Sequence, residues 1–196
     1  DFCDAVNLVI SPSEGMKKIL REFKVESHIE VVPNGADLQP FLTATPLSRA
    51  ELGFAQNDII LVYAGRIAPE KNMQFLLNAF TGVAGAIPNV YLLIVGGGQK
   101  EHEDDLKRVA SELHMEHRVR FTGVVSKDKL PSYLALGDIF VTASVTEVHP
   151  FSVIEAMAAG LPVVGIESPG VGDSITDGVS GLLSTEDIAA YTAKLT

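Results

Sequence analysis

Seven apolar runs of strand length recur along the chain. They are rich in β-branched residues and continuously apolar, which is typical of strands buried on both faces. The runs occupy residues 7–10, 29–32, 59–64, 90–95, 119–122, 139–143 and 163–166. Between some of them, apolar residues follow a helical spacing, as over 73–84 and 106–113. This alternation predicts a parallel, doubly wound, Rossmann-like α/β sheet.

Length and composition fit one such domain. The chain has 196 residues, of which 46% are hydrophobic and 20% charged, a globular composition. No linker rich in Ser, Gly or Pro divides it, so we predict a single domain over residues 1–196. Asp1 stands where Met would be expected, and we therefore expect the chain to be a fragment of a longer protein.

Net charge and cysteine content limit the possible partners and the cellular compartment. The net charge is −10 and the 15 basic residues are scattered, which disfavours nucleic acid because binding phosphates needs clustered Lys and Arg. The only cysteine, Cys3, allows no internal disulfide and fits a reducing compartment, so we expect a cytoplasmic location. No apolar run approaches the roughly 20 residues that span a bilayer, and any membrane contact is expected to be peripheral.

The loop after the run at 59–64 carries two cations. In a parallel sheet, ligands bind at the carboxyl ends of the strands. Gly65 allows close approach of a ligand to the backbone, and Arg66 and Lys71 together suit an anion clamp. Alternatively, Arg66 pairs with Glu70 and Lys71 lies near a helix N-terminus by chance. These residues alone leave both interpretations open.

Three glycines at 96–98 follow the run at 90–95. They do not continue into the dinucleotide pattern G-x-G-x-x-G. A flexible strand-to-helix turn is the better interpretation of this loop. Apart from the histidine at position 149, the histidines form no convincing metal set. They are His28, His102, His114 and His117.

The loop after the run at 139–143 contains Glu147 and leads into an Ala-rich helix. This helix is predicted from Ser152 to Gly160, with Glu155 near its first turn. Its N-terminal N–H groups favour a diphosphate, and the two carboxylates suit sugar hydroxyls on either side of it. The alternative is that both glutamates are simply solvated. For two glutamates at this spacing, without further evidence, this alternative is the better interpretation.

The sequence around these glutamates points to a family. Glu147 and Glu155 are separated by seven residues and are followed by Ala-Met-Ala-Ala-Gly-Leu-Pro-Val-Val at 156–164. This motif resembles the signature of family-4 glycosyltransferases of the GT-B fold. Shorter motifs follow in the family's order over nearly the whole chain, at 11–13, 32–37, 65–71, 121–123 and 177–183. The chain resembles the carboxyl-terminal, donor-binding domain, which is one half of a GT-B fold.

The resemblance implies a nucleotide-diphosphate sugar as donor for retaining transfer, with no cofactor and no metal. Arg66 and Lys71 would neutralise the diphosphate and stabilise the leaving charge, and Glu147 would bind the transferred sugar. Glu155 would hold the ribose. The other implied donor contacts are backbone groups, which frame the base or meet the phosphates, at Gly65, Phe121, Gly123, Val124, Phe151 and Ser152. The absence of an Asp-x-Asp signature agrees with metal independence.

One departure from the family concerns the sugar contact. Many members have Gly three residues after the first glutamate, whereas this chain has Pro150, which has no N–H to donate. His149 is a candidate substitute donor, although a solvent-facing loop histidine is the favoured interpretation. The preferred sugar is therefore open.

The resemblance also implies a partner. The family places the active site in a cleft between two domains, and the amino-terminal domain with its acceptor-binding groups is missing here. We expect the isolated chain to bind the donor and not to transfer sugar. The donor base and the acceptor, whether glycan, lipid or small molecule, cannot be read from the residues. Two alternatives are a non-catalytic nucleotide-binding module and a GT-B sugar-phosphate enzyme such as a phosphorylase or epimerase.

Overall fold

The computed structural model describes residues 2–196. Over this part of the chain the strands are β1 (Val9–Ser11), β2 (Ile29–Val31), β3 (Ile59–Ala64), β4 (Val90–Val95), β5 (Val119–Phe121), β6 (Ile139–Thr142), β7 (Val163–Ile166) and β8 (Gly181–Ser184). The last six form one parallel sheet in the order β5-β4-β3-β6-β7-β8.

Helices alternate with the strands. They are α1 (Glu14–Glu22), α2 (Gln39–Leu42), α3 (Met73–Ala86), α4 (Lys100–Glu112), α5 (Leu130–Leu134), α6 (Phe151–Ala158), α7 (Val171–Ser174) and α8 (Ile188–Leu195). A short 3₁₀ helix, Pro69–Lys71, lies between β3 and α3. No helix within residues 2–196 has both the length and the apolar composition needed to cross a membrane.

The main sheet is covered on both faces. In β3, Leu61 and Tyr63 pack in the layer of α3, α4 and α8, whereas Ile60 and Val62 pack in the layer of α2, α5, α6 and α7. These four side chains are at most 2% exposed. A strand buried on both sides has no polar face, which explains the continuous apolar run at 59–64. The predicted Rossmann-like, doubly wound fold is confirmed.

A separate unit is formed by β1, α1 and β2. The two strands pair in parallel, and α1 packs on them. On the opposite face, Leu8 and Ile10 expose 48% and 63% of their surface. Parallel sheets are normally covered on both faces, and two strands alone are only marginally stable. The unit therefore leaves an apolar face uncovered.

This unit corrects one part of the sequence-based picture. The runs at 7–10 and 29–32 do contain strands, but these strands do not join the main sheet. An apolar run identifies a strand without identifying its neighbour, so the expectation of one continuous sheet was wrong for them. The single domain over residues 1–196 stays a prediction.

The loops that follow β3 and β6 lie at the same edge of the sheet. The two strands are parallel neighbours, so their carboxyl ends point the same way. The loop after β3 leads into α3, and the loop after β6 leads into α6. This arrangement brings together side chains that are about 76 positions apart in the sequence.

Candidate functional site

The centre of the site is an ion pair between Lys71 and Glu147. Lys71 is the last residue of the 3₁₀ helix after β3, and Glu147 lies in the loop after β6. The ammonium of Lys71 donates to Glu147 Oε1, and the two side chains are only 17% and 16% exposed. The structure thus joins two of the predicted site residues directly.

A buried serine supports this pair. Ser144, which is fully buried, donates from Oγ to Glu147 Oε1 over 2.8 Å. Its hydroxyl also lies 3.3 Å from the carbonyl oxygen of Glu70. Glu147 Oε1 therefore receives two donors, while Oε2 has no hydrogen-bond partner among residues 2–196. The sequence offered one signal for Ser144: it is a small polar residue placed between a buried strand and the glutamate.

Arg66 does not join the central pair. Its guanidinium contacts Glu70 Oε1 at 3.1 Å, and the Arg66 side chain is 76% exposed. This is the Arg66–Glu70 pairing that the sequence left open as an alternative. Because the pair is exposed, its net contribution to stability is small, and Arg66 can exchange Glu70 for another anion with little loss.

Tyr63 fixes the backbone of the Arg66 loop. The Tyr63 hydroxyl donates to the carbonyl oxygen of Arg66 over 2.7 Å. Burial raises the pKa of the Tyr63 hydroxyl above its usual value, and Glu147 and Glu70 add to the shift. The hydroxyl therefore stays protonated and remains a donor. Tyr63 was missed as a site residue because the apolar run predicts it only as part of a strand.

The N-terminus of α6 offers two backbone donors. The helix begins at Phe151, one residue earlier than predicted, with Pro150 at its N-cap. The N–H groups of Val153 and Ile154 both bond to the carbonyl oxygen of Pro150. No acceptor within residues 2–196 contacts the N–H groups of Phe151 or Ser152. Such unpaired donors at a helix N-terminus favour an anion.

Glu155 is the fifth residue of α6 and is partly buried. Burial raises the pKa of its carboxyl, and a smaller attraction from Lys127 opposes the shift. A carboxylate that has lost part of its hydration binds hydrogen-bond donors more favourably than a solvated one does. Glu155 is therefore suited to accept from neutral hydroxyl groups.

Replacing Glu155 by glutamine is expected to raise the melting temperature at neutral pH, and to raise it much less at about pH 4. The raised pKa means that the folded chain holds this proton more tightly than the unfolded chain does. Ionisation of Glu155 therefore lowers stability as the pH rises through the raised pKa, and glutamine removes that effect. Melting curves at both pH values measure it, with exposed Glu101→Gln as control. An equal shift at both pH values would contradict the expectation.

His149 faces solvent only in part. It is partly exposed as a residue, but its Nδ1 atom is buried and has no hydrogen-bond partner within residues 2–196. Pro150, beside it, is buried. The expectation of a solvent-facing histidine holds only in part, because the Nδ1 edge of the ring is buried. No hydrogen bond joins His149 to Glu147.

The glycine loop is a packed extension of the sheet. The N–H of Gly65 donates to Val95, and the N–H of Ile67 donates to Gly97. A Cβ at Gly96 would overlap the carbonyl oxygen of Gly65. The expectation of a flexible turn at 96–98 is therefore corrected. These glycines let the loops after β3 and β4 lie against each other.

Residues 121–124 lie at the same edge of the sheet. The N–H of Gly96 donates to the carbonyl oxygen of Gly123 over 3.1 Å, which ties the end of β5 to the glycine loop. Phe121 is partly buried, and Val124 is 83% exposed. No side-chain hydrogen bond joins these residues to Lys71 or Glu147 within the described chain. Residues 121–124 therefore lie at this edge of the sheet without a direct link to the Lys71–Glu147 pair.

The described chain contains no group of three or more His, Cys, Asp or Glu side chains placed to hold a metal ion. The donors at this edge are instead an ammonium, a guanidinium and backbone N–H groups. Their charge suits an anionic ligand, and the carboxylates of Glu147 and Glu155 suit its hydroxyl groups.

The chain resembles known proteins in sequence. The family described as "Glycosyl transferases group 1" matches residues 45–196. The chain is 31% identical over 188 residues to the alpha-monoglucosyldiacylglycerol synthase of Streptococcus pneumoniae, covering 93% of this chain and 42% of that protein. It is 35% identical over 170 residues to the D-inositol 3-phosphate glycosyltransferase of Mycolicibacterium vanbaalenii, covering 80% and 37%. The chain thus spans less than half of these relatives.

The fold has solved counterparts. One is the Anabaena protein HepE, whose crystal structure is in complex with UDP-glucose. The two structures superpose with a TM-score of 0.77 at 25% sequence identity, over 92% of this chain and 50% of HepE.

Proposed function

Because the chain belongs to the group 1 glycosyl transferases, we propose that it binds the nucleotide-diphosphate sugar donor of a retaining glycosyl transfer. The observation that carries the proposal is the partly buried pair of Lys71 and Glu147. The loop of Glu147 leads straight into the unpaired N–H groups of α6. Cationic and N–H donors on one side and carboxylates on the other match a diphosphate flanked by hydroxylated sugars.

The diphosphate would take the donors. Its negative charge would share the ammonium of Lys71 with Glu147 and would compete with Glu70 for the guanidinium of Arg66. The N–H groups of Phe151 and Ser152 would meet the phosphate nearer the transferred sugar. Fixed donors of this kind stabilise the charge that builds on the departing nucleoside diphosphate, because they need no reorganisation during the reaction.

The two carboxylates would bind different sugars of the donor, the ribose and the transferred sugar. Glu155 would accept from the ribose hydroxyls, which relieves the loss of hydration that raises its pKa. Glu147 has Oε1 held by Lys71 and Ser144 and Oε2 without a partner in the described chain. Oε2 would accept from a hydroxyl of the transferred sugar. Backbone groups at 121–124 would frame the base.

The acceptor belongs to the rest of the enzyme. The two relatives above are 31% and 35% identical to this chain, and their names give a glycolipid product and an inositol phosphate acceptor. What they share with this chain is therefore suited to the donor. We infer that the unit of β1, α1 and β2 continues the sheet of an amino-terminal domain that supplies the acceptor site. The isolated chain is then expected to bind donor without turnover, and transfer needs no metal or cofactor.

The alternatives have less support. A non-catalytic nucleotide-binding module would not need Glu147 held with one free oxygen. A phosphorylase with pyridoxal phosphate would need a lysine placed for a Schiff base, and Lys71 is already paired with Glu147.

Thermal shift with UDP-, GDP- and ADP-glucose tests the proposal. A ligand at 100 times its Kd stabilises the fold by about 2.7 kcal/mol, which corresponds to roughly 5–10 °C for a chain of this size. We expect one nucleotide series to give such a shift, and UDP is the first choice given the HepE complex. Glu155→Ala should reduce the shift, and exposed Glu101→Gln should not. No shift with any of the three would overturn the proposal.

A further inference from the structure

Asp173 links two parts of the chain that are far apart in sequence. Its carboxylate accepts from the N–H of Gly15, in the first turn of α1, at 3.2 Å (Oδ1) and 3.1 Å (Oδ2). Its Oδ2 atom also accepts from the N–H of Gly170 over 3.3 Å. One side chain thus connects the unit of β1, α1 and β2 to the loop between β7 and α7.

The contact with α1 is shaped for a carboxylate. Ser13 caps the N–H of Met16 over 3.1 Å, which leaves the N–H of Gly15 for Asp173. A Cβ at Gly15 would overlap Asp173 Oδ2 and would lie 3.2 Å from its Cγ. Glycine therefore permits the close approach. A negative charge at a helix N-terminus is also electrostatically favourable.

Gly170, the second residue that donates to Asp173, packs against the backbone of Glu147. Gly170 has a φ of +79°, and a Cβ there would lie 2.6 Å from the carbonyl carbon and oxygen of Glu147. In the same loop, Ser168 donates to the carbonyl oxygen of Ser144 over 2.9 Å. The loop that leads into α7, the helix of Asp173, therefore packs against the loop that holds Glu147.

We propose that Asp173 is a positioning residue that transmits the placement of the β1–α1–β2 unit to the Glu147 loop. The inference rests on the proposed role of Glu147 in binding the transferred sugar. Loss of the link should alter the sugar contact and leave the nucleotide contacts on α6 unchanged. The affinity for UDP-glucose should then fall about threefold, with that for UDP retained.

Gly15→Ala is the decisive variant in the 196-residue chain, because it lies in the other unit and reaches the Glu147 loop through Asp173. Asp173→Asn keeps the size of the side chain and removes its charge. Glu14→Gln is the control for the second variant, since it removes an exposed charge from the same helical turn. Gly35→Ala is the control for the first, since a Cβ at Gly35 meets no atom within 4 Å.

Two ligand-free NMR readouts decide the inference. Amide exchange of residue 15 or of Met16 should accelerate, and the amide signals of Ser144 to Glu147 should shift, in both test variants and in neither control. Accelerated exchange without a shift at 144–147 overturns the inference, because the contact is then only a helix cap. An unchanged ratio of UDP-glucose to UDP affinity also overturns it. A wild-type chain that binds none of UDP-, GDP- and ADP-glucose would refute the proposed function, and the NMR readouts would still decide the link.

Discussion

Replacing Lys71 by alanine is expected to weaken UDP-glucose binding by about 10- to 100-fold, the range for losing a hydrogen bond to a charged group. The ammonium is partly buried and is held by Glu147, so its position is set before the ligand arrives. The same change should lower the free energy of unfolding by about 1–3 kcal/mol, because Glu147 Oε1 keeps only Ser144 as donor. Calorimetric titration and urea unfolding measure the two effects.

Two further variants separate these effects. Lys71→Met combined with Glu147→Gln removes both charges, so we expect it to recover most of the stability and none of the binding. Arg66→Ala should weaken binding without changing stability, because the Arg66 side chain is 76% exposed. Exposed Lys18→Ala is the control for a lysine outside the site. Unchanged UDP-glucose affinity in Lys71→Ala would refute the assigned role.

Replacing Gly98 by alanine is expected to destabilise the chain by about 3 kcal/mol or more, at the upper end of overpacking effects. The new Cβ would overlap the carbonyl oxygen of Ile67 and would lie 3.2 Å from the Ile67 Cβ. A backbone carbonyl cannot rotate away as a flexible side chain can, so the Arg66 loop has to move. Urea unfolding followed by far-UV circular dichroism measures the change.

Gly85→Ala is the matched control for this variant. Gly85 lies in α3, and a Cβ there meets no atom within 4 Å. Alanine in a helix is favoured over glycine by up to about 1 kcal/mol, so the control should be neutral or stabilising. A Gly98→Ala chain as stable as the wild type would show that the two loops are not packed as described.

Strands were predictable where their burial left a mark on the sequence. The runs at 59–64, 90–95 and 163–166 coincide with β3, β4 and β7, because each is central in a parallel sheet and therefore apolar throughout. β8 was not predicted. It is an edge strand of four residues that contains Gly181 and Ser184, and three of its residues are only partly buried, so no apolar run marks it.

The sequence indicated the main residues of the candidate site and not the hydrogen bonds between them. The family motif selected Lys71 and Glu147, but no spacing indicates that one donates to the other. The hydroxyl of Ser144 donates to Glu147, and that of Tyr63 donates to the carbonyl oxygen of Arg66. Such hydrogen bonds arise from tertiary contact and leave no periodic signal in the sequence. Arg66 shows the converse, because a local i,i+4 pair with Glu70 can be read from the sequence.

The hydrogen bonds between the loops after β3 and β4 limit how this edge of the sheet can move. Gly65 and Ile67 are bound to the backbone at Val95 and Gly97 as if the strands continued. The loop of Arg66 is therefore ordered before any ligand arrives, and a ligand need not supply the free energy to order it. It also cannot open as an independent lid. Under the proposed function, closure over a sugar nucleotide would come from movement of whole units, with this edge carried as a rigid surface.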